Sequence, residues 1–303
     1  MIVAKIQGEW LQAPATRAVM AALEAAQPGS ARFVGGCVRN ALLHEPVEDV
    51  DIATTLLPNE VMKAAEAAGL KSVPTGLAHG TVTLIALSRP FEITSLRRDV
   101  QTDGRRAEVA FTQDWAQDAQ RRDFHLNALY ADASGQVFDP TGQGLEDLRA
   151  RRIRFVGDAS QRIREDYLRI LRFFRFSAWY GAGTFSPEAL AACAAEKAGL
   201  ARLSAERVWK ELKRLLAADD PRAALNAMCQ TGVLAQCLPE AQTDAPNALG
   251  VLEALIGADL DHHFTPDPLL RFAALLQSAG HEAAQGCAAR LRLSRQESER
   301  LLA

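Results

Sequence analysis

The sequence runs to 303 residues, more than one compact core usually holds, with 48% hydrophobic and 23% charged residues and a formal net charge of −3. That balance excludes a stapled miniature, a fibrous repeat and a disordered chain, and it predicts two or more domains. Five scattered cysteines without paired C-x-x-C spacing argue against a disulfide framework or a zinc cluster, and no apolar run reaches the length of a bilayer, so we expect a reducing cytoplasm and neither export nor a membrane.

The first half mixes short β-prone runs with Gly and Pro punctuation. ARFVGG at 31–36, VDIATT at 50–55, GTVTLIAL at 80–87, FEITSL at 91–96 and AEVAFT at 107–112 read as strands. Gly35-Gly36 follow the first of these and precede a helical stretch, VRNALL. Glycines there let backbone N–H groups approach phosphate oxygens, with the helix N-terminus adding its dipole, and Arg39 would be placed to clamp a triphosphate. An ordinary tight turn is the alternative.

Asp49 and Asp51 stand two apart in the next run, so strand alternation puts both carboxylates on one face. Two converging carboxylates suit a hard divalent cation, magnesium above all, which is commonly held by one or two carboxylates together with substrate phosphates. Alone, the D-x-D spacing also fits a solvated strand end. Glu92, in the strand-like FEITSL, is the candidate third carboxylate, an ordinary strand charge being the equal alternative. The polar stretch RRDVQTDGRRAEV at 97–109 reads as a mobile loop, with a plain solvated hairpin loop as the alternative. In RRDFHLNA at 121–128, Arg122 suits a phosphate, while Asp123 and Asn127 suit ribose hydroxyls and would share a face if the segment were helical.

From about Gln161 onward the periodicity is helical, in REDYLRILRFFRFSAWYG, SAERVWKELKRLLAA and DPLLRFAALLQSAG, with breaks at Gly181, Gly183, Pro221, Gly232, Pro239 and Pro266. The closing SRQESERLLA stops inside a helical pattern without a cap signal, which suggests a short or truncated tail. Between Arg149 and Arg175 nine arginines face three acids. This stripe, with Arg151, Arg152, Arg162 and Arg175 the candidate RNA contacts, offsets the unfavourable net charge; a solvated helix face explains it equally. Asp166 and Arg169 would be i,i+3 neighbours on a helix, offering an acceptor beside a donor array to the edge of a base; a surface salt bridge is the alternative. His262-His263 lack partners at metal-ligand spacing, and the four tryptophans read as packing residues.

Several of these segments together resemble one known family. VGGCVRNALLHEPVEDVDIATT looks like the first signature of the class II tRNA nucleotidyltransferases and bacterial poly(A) polymerases, departing at Asn40, where the family usually has aspartate. RRDF looks like its ribose-recognising motif, with His125 in place of threonine. EDYLRILRFFRFSA resembles its nucleotide-selecting helix, and SAERVWKEL its neck helix, with Glu206 and Arg207 expected to orient the selecting pair. The segment 97–109 resembles the loop that full CCA-adding members use when passing from C to A addition, and Asp139 to Leu148 the connector between head and neck.

The resemblance implies an α+β protein. A nucleotidyltransferase head with a small mixed sheet would span 1–148, and an all-α remainder would follow as a neck at 149–216 and an RNA-binding body at 217–303. It implies addition of C, C and A to the 3′ end of tRNA from CTP and ATP without a nucleic-acid template. Asp49 and Asp51 would be catalytic and, with Glu92, would bind Mg2+. Gly35, Gly36, Arg39, Arg122, Asp123, Asn127, Asp166, Arg169 and Arg172 would bind nucleotide. A poly(A) polymerase is the rival within the family, disfavoured because PTGLAHGTVTL stands where those enzymes carry an arginine-rich signature; a non-catalytic RNA-binding relative is the rival from another class. Oligomeric state leaves no mark on the sequence.

Overall fold

A computed structural model describes residues 2–102, 107–241 and 249–303. Two compact units divide the chain, Met1–Ala150 with Arg154–Gly157, and Arg151–Ile153 with Asp158–Ala303.

The first unit is built on an eight-stranded mixed sheet. Its strands are β1 (Ile2–Lys5), β2 (Ala31–Val34), β3 (Asp51–Thr54), β4 (Lys71–Gly76), β5 (Thr81–Ala86), β6 (Arg89–Ser95), β9 (Tyr130–Ala131) and β10 (Gln136–Phe138), while β7 (Arg97–Thr102) and β8 (Ala107–Phe111) pair separately. In space the order is β1-β10-β9-β2-β3-β6-β5-β4. β3 and β6 run parallel, with Asp51 opposite Glu92 and Ile52 opposite Ile93, whereas β2 meets β3 and β9 antiparallel. Helices Pro14–Ala26 and Pro58–Ala67 pack on each other and on β5, burying Val19, Leu23, Val61 and Ala65. The alternate residues Val34, Ala53 and Leu96 belong to a second cluster with Ala119, Ala128, Tyr130 and Val156. Burial on both faces explains why β2 and β3 read as short continuous apolar runs.

The five strands expected from sequence are all present, but the sheet is larger than those five suggest. β9 and β10 span two and three residues, too short for alternation to show. Of the two readings of 97–109 the structure takes the hairpin, because the backbones of 97–102 and 107–111 form an antiparallel ribbon. A ribbon outside the core sheet demands no apolar alternation, so its polar composition imitates a loop; its tip, 103–106, lies outside the described residues.

Among its described residues the second unit consists of helices joined by loops, with no strands. The helix expected across 164–181 is two helices, Ala159–Glu165 and Leu168–Tyr180, with Asp166 extended between them. Helix Ala205–Leu216 is amphipathic, burying Val208, Trp209, Leu212, Leu215 and Leu216. Its C-terminal end leaves carbonyls that no further turn can bond, and Arg271, fully buried on helix Pro268–Leu276, supplies the donors. Arg271 Nη1 donates to Leu216 O at 2.9 Å and Ala218 O at 2.5 Å, Nη2 to Asp219 O at 3.2 Å, and Nε to Asp259 Oδ2 at 3.0 Å. Helix Arg295–Leu302 opens on a capping box between Ser294 and Glu297.

Because Arg271→Ala strips a buried ion pair and these carbonyls of their donor at once, it is expected to cost about 3–5 kcal/mol in equilibrium denaturant unfolding. A loss below about 1 kcal/mol would contradict the buried capping role.

Candidate active site

Asp49 ends the irregular segment after helix Gly36–Leu43, and Asp51 opens β3. Val50 between them is buried while both aspartates are exposed, which is the alternation that sends two carboxylates to one side. Parallel pairing with β6 sets Glu92 opposite Asp51. The Asp51 side chain reaches solvent, yet the protein around its carboxylate, then the Glu92 charge and then the Asp49 charge raise its pKa from 3.8 to about 6, with Arg122 pulling the other way. Crowded like charge on hard oxygen donors is what a divalent cation relieves, so the pair fits such an ion. Among the described residues no three or more His, Cys, Asp or Glu side chains form a metal-holding group. Glu92 stands opposite Asp51 and adds its charge to the pair.

Below the pair, Gly35 adopts φ 72° and turns β2 into helix Gly36–Leu43. A Cβ at Gly35 would be strained there and would sit 3.9 Å from Arg122 Nη1, so the turn and that guanidinium share one space. Arg39 is 7% exposed and held by amides: Nη1 donates to Asn127 Oδ1 at 2.6 Å, and Nε and Nη2 to Asn40 Oδ1 at 3.1 and 2.9 Å. Asn127 Nδ2 in turn donates to Asp123 Oδ1 at 3.0 Å. The structure thus joins Arg39, Asn127 and Asp123 in one chain, but not on an α-helix as the spacing suggested. His125–Asn127 is a single 3₁₀ turn, and Phe124 bridges to Phe155. The Cys37 thiol lies beneath, its pKa pushed up to about 12 by burial, and donates to the carbonyls of Val34 and Asp51.

In the second unit Asp166 is not on a helix face with Arg169. Its Oδ1 accepts from Leu168 N at 3.1 Å and its Oδ2 from Arg207 Nη2 at 2.7 Å, while Arg169 Nη1 bonds Glu165 Oε2 at 2.6 Å and Arg162 O at 2.9 Å. A carboxylate that caps the helix following it breaks the helix it would otherwise continue. Arg207 does reach Asp166; Glu206 turns instead to Arg292 at 2.6 Å. Arg162 bonds Glu165 at 2.5 Å, Arg175 bonds Glu211 at 2.6 Å, and Arg172 lies 3.9 Å from Glu211. Arg162 and Arg175 are thus partly buried in ion pairs, while Arg151 and Arg152 are half-buried. His262 and His263 are exposed; of the tryptophans, Trp179 is 44% exposed, with its indole N–H on Arg214 O.

Sequence reasoning passed over Asp118 and Tyr130, both buried and both bonded to Arg122. The available signal was Asp118 four residues before Arg122, a spacing shared by many surface pairs.

Two family models match the chain: the poly A polymerase head domain over residues 31–154, and the probable RNA and SrmB-binding site of polymerase A over residues 184–244. The chain is 40% identical over 269 residues to the mitochondrial CCA tRNA nucleotidyltransferase 1 of Danio rerio, covering 88% of this chain and 60% of that one. It is 47% identical over 191 residues to the corresponding Homo sapiens protein, covering 61% and 43%. The chain therefore spans about three fifths or less of these relatives. It is also similar to the crystal structure of the Bacillus stearothermophilus CCA-adding enzyme in complex with CTP, with a TM-score of 0.64, 29% identity, and 95% and 81% of the two chains covered.

A cation held by Asp49 and Asp51 must displace the proton that Asp51 carries below about pH 6. Manganese affinity measured by calorimetry is expected to be level above that pH and to fall up to tenfold per unit beneath it. Conversely, a carboxyl whose pKa rises on folding loses stability as pH climbs from its unfolded value through its folded one. Asp51→Asn is therefore expected to make the metal-free chain more stable at pH 7.5 but not at pH 4, with manganese binding lost. Equal stability at both pH values would show that the crowding is not there.

Proposed function

The chain belongs to the family of class II tRNA nucleotidyltransferases and poly(A) polymerases, and from that premise we propose that it adds C, C and A to tRNA 3′ ends from CTP and ATP without a nucleic-acid template. The single observation that supports this best is the Asp49–Asp51 pair, charge-crowded by Glu92 and set beside the glycine turn and Arg122. The RNA 3′-oxygen, its proton released to solvent, would bond to the α-phosphorus as the bond to the bridging oxygen breaks and pyrophosphate leaves. Asp49 and Asp51 would hold the ion, magnesium in this reading, which when bound acidifies the 3′-hydroxyl and neutralises charge on the phosphates.

Each remaining part of the site has a share in that reaction. The Gly35-Gly36 turn and Arg122 take the triphosphate, and Arg39 braces them from behind. Asp123 and Asn127 receive the ribose hydroxyls. In the second unit Asp166 accepts from the base amine, Arg169 donates to its ring acceptors, Arg207 fixes Asp166, and Arg172 lies one turn beyond Arg169. Head, neck and body divide at residues 148 and 216 in this scheme, with RNA held by the helical residues. No described helix is long and apolar enough to cross a membrane, and the five free cysteines support a reducing compartment, which we take to be the cytoplasm.

The test uses tRNAs ending before CCA, after the first C and after both, each with one labelled nucleotide and magnesium, resolved to single nucleotides. Two C and then one A are expected, with Asp49→Ala and Asp51→Ala each slower by roughly a hundredfold or more. Long A tracts would replace this reading with a poly(A) polymerase; no incorporation, or activity indifferent to both substitutions, would end the enzymatic reading.

Nucleotide choice is a separate test. A well-placed pair of base contacts discriminates by about 1–3 kcal/mol. Asp166→Ala and Arg169→Ala are expected to erode the preference for CTP over UTP by about five- to a hundredfold in competition, leaving pyrophosphate release per incorporation unchanged. Retained preference in both would move the selecting groups elsewhere.

A further inference from the structure

Arg122 is a phosphate-binding candidate set against a buried carboxylate, its side chain 18% exposed beside the 1% exposed Asp118. Helix Trp115–Gln120, capped by Asp114, carries Asp118 one turn before Arg122, with the Asp118 side chain sealed from solvent. Tyr130 is the first residue of β9, registered against Val34 of β2, and its ring meets Trp115 edge-on at 5.3 Å. The sheet therefore fixes the Tyr130 hydroxyl before any ligand arrives.

Three groups meet there. Arg122 Nε donates to Tyr130 Oη at 3.0 Å and to Asp118 Oδ2 at 3.3 Å, and Nη2 donates to the same Oδ2 at 3.0 Å. Tyr130 Oη donates to Asp118 Oδ2 at 2.7 Å, closing a ring of hydrogen bonds. The other carboxylate oxygen accepts from Arg121 Nε at 2.8 Å and from the backbone N of Arg97, where the β7–β8 ribbon leaves the sheet, at 3.3 Å. Among the described residues Arg122 Nη1 has no hydrogen bond, and this is the nitrogen 3.9 Å from where a Gly35 Cβ would lie.

Granting the nucleotide-binding reading above, we infer that Asp118 and Tyr130 are positioning residues: they lock Nε and Nη2 of Arg122 so that Nη1 is committed to the phosphates of an incoming nucleoside triphosphate at the Gly35 turn. Unrestrained, the four rotatable bonds of an arginine spread its charge over many positions, and ordering them on binding would weaken affinity. Burial alone would raise the Asp118 carboxyl, but Arg122, Arg121 and the Tyr130 hydroxyl hold it down at about 2, so the lock is charged near neutral pH.

Tyr130→Phe keeps the ring and its contact with Trp115 and removes only the hydroxyl. The expected result is a rise of about five- to tenfold in KM for CTP and in its equilibrium dissociation constant measured without RNA, with kcat within about twofold. Asp118→Asn, which keeps the shape and loses the charge, should weaken CTP further. In an Arg122→Lys background, where the fork is gone, Tyr130→Phe should add less than about a twofold change. Unchanged CTP binding in Tyr130→Phe, or an undiminished effect in the Arg122→Lys background, would overturn the positioning role while leaving the catalytic reading intact. Failure of the unaltered protein to bind CTP at all would instead overturn that reading, and this inference with it.

Discussion

Parallel pairing of β3 with β6 brings Asp51 and Glu92 into register, and the crowding of negative charge at the head of β3 conditions everything around it. A sheet that folds with Asp51 raised to about 6 carries an electrostatic cost it does not need for its own stability. A cation held by the pair would relieve that cost. The neighbouring cation Arg122 offsets only part of it and is itself tied to Asp118, so the carboxylates remain undercompensated by protein groups. Stability and ligand affinity are set against each other at one strand end, as expected where function is stored as strain in charge.

Arg39 is held by Asn127 and Asn40, which are neutral, and Asn127 passes the contact on to Asp123. Asn40 also donates from Nδ2 to Pro46 O at 2.8 Å, pinning the segment that leads to Asp49. An aspartate at position 40 would hold Arg39 as an ion pair but has no proton for that carbonyl. The departure at Asn40 therefore has a local rationale: one amide serves both a cation and a backbone carbonyl without placing another anion near Asp49.

Features governed by local chemistry were legible in the sequence, and those governed by distant pairing were not. Strand, glycine turn, helix and second strand follow one another within 31–54, and each announces itself by alternation, by Gly35 or by helical spacing. Asp49 and Asp51 inherit their common direction from that alternation alone. Glu92 needed the sheet order, because only β3–β6 pairing gives it a partner. Asp118 looked like any acid four residues before an arginine; its burial depends on β9, a strand of two residues. Asp166 misled for a subtler reason. It stands three residues before Arg169, as on a helix, but an aspartate that bonds Leu168 N ends one helix and starts another, a break that residue spacing does not reveal.

The arginine stripe shows how sequence charge and available charge differ. Of the nine arginines between 149 and 175, Arg164 bonds Glu196, Arg172 and Arg175 flank Glu211, and Arg154 bonds Asp147, all acids outside the stripe. Three such acids halve the local excess of six. The 4% exposure of Glu211 explains why two arginines gather on it: a buried carboxylate without them would be far more costly than the pairs are stabilising. These arginines serve first to build the helices that carry them, so affinity for a polyanion rests on fewer phosphate contacts than the count suggests. Recognition then depends on where the remaining donors stand, and a polyanionic substrate becomes compatible with a chain whose net charge is −3.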